Sequence, residues 1–91
     1  MVDEVGVRIR RFVVDNFLFG QDDPTLQAQT SLLDTGIVDS TGVLELEQFL
    51  EEEFGLPVPD RDLVPEHFAT LAGLTAYVLR RLAARDRKSV V

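Results

Sequence analysis

The sequence contains no cysteine, which excludes disulfides, thiolate metal sites and a cysteine nucleophile. Any thiol chemistry here must use a sulfur that is added to the chain. A single histidine, His67, excludes a His-rich metal site. Basic residues are scarce: nine Lys and Arg against sixteen Asp and Glu leave a net charge of −7. That balance weighs against a nucleic-acid partner, because phosphate contacts need clustered cations. Long apolar runs are also missing, and none approaches the roughly 18–20 residues of a membrane-spanning helix. The opening MVDEVGVRIRRF mixes charges into its first turns and does not read as a secretory signal, so a cytoplasmic location is expected.

The charge that is present is unevenly placed. Residues 39–66 hold nine acids against Arg61 alone, whereas five bases and one acid follow from Thr70 onward. An acidic block of this kind is either a solvated helix face or a surface that attracts basic partners.

Hydrophobic spacing defines the elements. Val5, Ile9, Phe12, Val13 and Phe17 recur at helical intervals, predicting a first helix over about 2–19 that Gly20 stops. Residues 20–38 then form a long connection whose Asp22, Asp23, Pro24 and Gly36 oppose regular structure. Its Leu26, Leu32, Leu33, Ile37 and Val38 are too apolar for a free loop, so a loop packed on the core is expected. A second helix runs from Ser40 or Thr41 to Phe54, with Val43, Leu46, Leu50 and Phe54 on its buried stripe and Gly55 as its stop. Leu44 falls on its polar side, one turn after Ser40. Pro65–Phe68 suits a short helical turn with proline in first position. A last helix starts near Thr70, with Leu71, Leu74, Val78 and Leu82 as its stripe. No strand pattern is found. The expected fold is an all-α four-helix bundle, three main helices and one short one, forming a single domain over 1–85 with a frayed tail at 86–91.

The stretch GIVDSTGVLEL, residues 36–46, carries the candidate chemistry. A catalytic serine would need a nearby base and a group to orient it, yet Ser40 has no GxSxG surround and only the distant His67. Glu51, Glu52 and Glu53 are consecutive and fan around the helix, so they do not form an acid–base pair. No catalytic residue and no metal site is read. Helix capping is the plain alternative for Ser40, although Asp39 is an equal candidate for the cap. Were Asp39 the cap, Ser40 would stand exposed in the first turn, where a helix N-terminus favours a phosphate.

Taken in register, Asp39-Ser40 preceded by Gly36-Ile37, then Glu45-Leu46, Leu50 through Gly55, Val58-Pro59-Asp60 and Leu74 to Val78 resemble an acyl or peptidyl carrier protein. The resemblance covers nearly the whole chain. It implies that Ser40, with Asp39 as its motif partner, receives 4′-phosphopantetheine from coenzyme A through a phosphopantetheinyl transferase. The arm's thiol would then hold acyl or aminoacyl groups as thioesters, supplying the sulfur that the sequence lacks. It further implies docking on the following helix, through Thr41, Leu44, Glu45, Glu51 and Glu52. The implied partners are that transferase, an acyl- or aminoacyl-activating ligase, and a downstream transferase, ketosynthase or tailoring enzyme. A non-catalytic monomer that binds neither nucleic acid nor membrane is expected. Thr41 stands where the family usually has leucine, and Gly42 where a housekeeping carrier often has an acid. These departures point to a dedicated polyketide, nonribosomal peptide or specialised lipid pathway. The competing expectation is an unmodified acidic helical adaptor in which Ser40 is only a cap.

Overall fold

A computed structural model describes the backbone of residues 2–21 and 26–90, and the side chains of 4–21 and 26–84. The described residues form four α-helices and no strand: α1 (Val2–Phe17), α2 (Ser40–Phe54), α3 (Pro65–Phe68) and α4 (Leu71–Val90). A single 3₁₀ turn, Asp60–Asp62, lies between α2 and α3. The helical backbone of α4 extends across residues 86–90.

The apolar stripes meet in one core. Ile9 and Val13 of α1, Leu46 and Leu50 of α2, and Leu74 and Val78 of α4 are wholly buried. Each such side chain contributes on the order of 1.5–3 kcal/mol over leaving it in water. The long connection fills the remaining space with Leu26, Leu32 and Val38, so it is packed as its composition requires. Backbone bonds fix it as well: the Leu32 amide donates to the Ala69 carbonyl (2.6 Å) and the Ala72 amide to the Ala28 carbonyl (2.9 Å).

Helices α1 and α2 run antiparallel. Arg8, in the first half of α1, pairs with Glu53 at the end of α2 (3.1 Å). Phe17, the last residue of α1, packs against Gly42 in the first turn of α2. Between these contacts Phe12 and Phe49 stack with ring centroids 4.2 Å apart. The ion pair is half exposed at both partners and adds little, so the aromatic contact and the buried stripe hold the pair together.

Helix α1 ends at Phe17 instead of reaching Phe19. Phe19 and Gly20 both take left-handed backbone, at φ 57° and 79°, and the Gly20 amide returns to the Val14 carbonyl (2.9 Å). The Thr70 hydroxyl caps α4 by accepting from the Gly73 amide (2.9 Å). Tyr77, absent from the stripe expected for α4, is buried there. Its hydroxyl donates to Asp62 Oδ2 (2.7 Å) and accepts from Arg81 Nη1 (2.7 Å). Arg81 also donates to the Pro57 carbonyl (2.8 Å), tying the segment after α2 to α4.

Candidate functional site

The first turn of α2 decides between the two candidate caps. Asp39 has extended backbone (φ −101°, ψ −172°), and its Oδ1 accepts a 2.7 Å hydrogen bond from the Gly42 amide. That is the N-cap bond, so the capping role belongs to Asp39. Ser40 is the first helical residue; its side chain is exposed, and no hydrogen bond within the described residues engages its hydroxyl. The hydroxyl therefore stands free beside a carboxylate, at the positive end of a 15-residue helix.

The position of that turn is set by packing behind it. A Cβ on Gly42 would lie 2.8 Å from a ring carbon of Phe17 and 2.9 Å from Cγ1 of buried Val38. Only glycine lets α2 start this close to α1 and the loop, a reason for Gly42 that its residue type alone does not disclose.

Along the outward side of α2, Thr41, Glu45 and Glu52 are exposed. Leu44, 56% exposed, is one of the few large apolar side chains held in water. Glu51 differs from them. It is half-buried, and its Oε2 accepts from the Val58 amide (3.0 Å), bracing the chain after its reversal at Gly55. The structure thus brings Ser40, Thr41, Leu44 and Glu45 together around the start of α2. Glu52 lies further along the helix, and Glu51 turns to an internal partner.

Glu47, not singled out by the sequence, sits on the shoulder of the buried stripe, one position after Leu46. Its Oε2 is buried without a hydrogen-bond partner. Burial chiefly, then the nearby charges of Glu51 and Asp60, raise its pKa above the ordinary carboxylate range. The helical spacing to Leu50 was the one available signal. His67 packs its ring on Tyr77 (4.7 Å between centroids) and contacts Arg80 through Nδ1 (3.3 Å), a packing role on α3. Among the described residues no three His, Asp or Glu side chains converge as metal ligands. None of the described helices is long and apolar enough to cross a membrane.

Comparisons with known proteins bear on this geometry. Residues 18–78 match the family profile described as a phosphopantetheine attachment site. The chain is 34% identical over 68 residues to the probable acyl carrier protein PigG of Serratia sp., covering 75% of this chain and 77% of that protein. It is also similar to a chain in a crystal structure of an FAD-dependent dehydrogenase. That match has a TM-score of 0.66 at 32% identity, covering 76% of this chain and 96% of the other.

Proposed function

This chain belongs to the acyl carrier protein family, marked by a phosphopantetheine attachment site, and from that premise we propose that Ser40 is the residue that takes the arm. The protein is a non-catalytic carrier and its cofactor is 4′-phosphopantetheine. Once attached, the arm supplies the terminal thiol on which acyl groups are held as thioesters. One observation carries the assignment to Ser40: Asp39 makes the cap bond, which leaves the neighbouring hydroxyl exposed and uncommitted. The residues around it fit a phosphodiester. The first-turn amides of Ser40 and Thr41 lie at the positive end of α2, where an anion is stabilised.

Carrier proteins work with phosphopantetheinyl transferases and with the synthetic enzymes that load and process their cargo. On this chain the docking face comprises Thr41, Leu44, Glu45 and Glu52, an exposed leucine within an acidic surround that suits a basic-rimmed apolar pocket. Glu51, already engaged by the Val58 amide, contributes less there. The partners comprise an acyl- or aminoacyl-activating ligase and tailoring enzymes. A flavin-dependent dehydrogenase is our candidate among the latter, a reading supported by the similarity to a chain in a crystal structure of an FAD-dependent dehydrogenase. A thioester acidifies the adjacent C–H of its acyl group, which suits oxidation of a bound acyl chain. The role is assigned to a dedicated biosynthetic pathway in the cytoplasm, an assignment supported by Thr41 in place of the family's usual leucine.

The test is intact mass after incubation with coenzyme A, Mg²⁺ and a broad-specificity phosphopantetheinyl transferase. Wild-type protein gains the mass of one phosphopantetheine and Ser40→Ala gains none. No gain in wild type, or the same gain in Ser40→Ala, overturns the assignment and returns the chain to an unmodified adaptor.

A further inference from the structure

Phe19 combines two unfavourable features. Its backbone stands at φ 57°, the left-handed region that bulky side chains avoid, and its ring is 91% exposed. Glycine at this position would hold the same backbone without strain and without apolar exposure. Among the described residues the ring packs into no part of the core. Strain kept at such a position points outward, to something the side chain meets in a complex.

The location supports this. Phe17 lies against Gly42, so the turn through Phe19 and Gly20 leaves α1 beside the serine end of α2. Among the described residues the large hydrophobics most exposed to water are Val7, Phe19 and Leu44. Leu44 follows Ser40 by one helical turn. Val7 belongs to the opposite end of the bundle, next to Arg8 and its partner Glu53, about 15 Å along α1 from Phe17. Two of the three exposed apolar side chains therefore belong to the end of the bundle that carries Ser40, and Glu45 follows Leu44 on α2.

We propose that Phe19 is an anchor for the phosphopantetheinyl transferase. Its ring enters an apolar pocket beside the cleft that receives Ser40, while basic residues of the transferase meet Glu45 and Glu52. The proposal rests on Ser40 as the attachment residue and extends the interface from α2 to the turn after α1.

The experiment is steady-state transfer from coenzyme A by a broad-specificity transferase, with carrier concentration varied, for wild type, Phe19→Ala, Phe19→Gly and Val7→Ala. Both Phe19 variants raise KM for the carrier roughly tenfold and leave kcat within about twofold, and Val7→Ala changes neither. Phe19→Gly also raises Tm, because it relieves the backbone, so its weaker binding cannot come from unfolding. Unchanged KM in both Phe19 variants overturns the proposal. So does a rise in Phe19→Ala that Phe19→Gly does not share, since that is an effect on folding. Failure of wild type to gain mass at all strikes instead at Ser40.

Discussion

Replacing Asp39 with alanine isolates the cap from the hydroxyl beside it. The structure assigns Asp39 one stabilising bond, the 2.7 Å contact from the Gly42 amide to Oδ1. Loss of such a cap costs about 1 kcal/mol. In a domain of this size, 1 kcal/mol corresponds to a fall in Tm of about 4–8 °C. Asp39→Asn keeps an acceptor of equal capping rank and gives up only the charge at the helix start, about 0.3–1 kcal/mol, so its Tm falls less. Ser40→Ala removes a side chain that bonds nothing within the described residues, and alanine is the better helix former. Its stability stays within about 0.5 kcal/mol of wild type. Thermal unfolding followed by circular dichroism at neutral pH distinguishes the three. The order Asp39→Ala lowest, Asp39→Asn intermediate and Ser40→Ala near wild type is expected. A Ser40→Ala loss equal to that of Asp39→Ala would refute the reasoning, because the serine would then be the cap.

Two further predictions concern stability. Glycine-to-alanine changes within a helix ordinarily gain about 1 kcal/mol. Gly6→Ala, whose Cβ meets Thr75 at an ordinary 3.5 Å, should gain stability in denaturant unfolding. Gly42→Ala should lose it, by about 1–2 kcal/mol once overpacking offsets the gain, and a stabilised Gly42→Ala would contradict the close approach of Phe17 and Val38. For Glu47, the raised pKa means that the folded chain binds this proton more tightly than the unfolded chain. Its contribution is thus full below the ordinary glutamate range and lost as pH rises through the higher folded value. Glu47→Gln should raise Tm at pH 7 and differ little from wild type near pH 4; a gap of equal size at both pH values would contradict this.

Much of this architecture was legible because local signals agreed. Apolar spacing and the stop at Gly55 give α2 its limits, and Gly55 does take left-handed backbone (φ 65°). Pro65 opens α3 where a first-position proline belongs. The ambiguity at Asp39-Ser40-Thr41 arose because all three residue types cap helices, and it needed the backbone to show which one is extended. What escaped the sequence depends on distant partners. Tyr77 is placed by Asp62 and Arg81, and Glu51 meets Val58 only after the chain reverses. The early end of α1 comes from a phenylalanine in a conformation its residue type disfavours.

The bonds of the long loop link the residue after α3 to the start of α2. The Ala69 carbonyl, just after α3, holds the Leu32 amide, and the Leu32 carbonyl holds the Val38 amide (3.0 Å), next to the cap at Asp39. Helix α3 is four residues long and borrows its rigidity from its neighbours. The bearing of the serine is therefore referenced to α3 as well as to α2. A load that shifts the small helix is carried through two amides to the cap beside Ser40, the residue proposed to bear the arm.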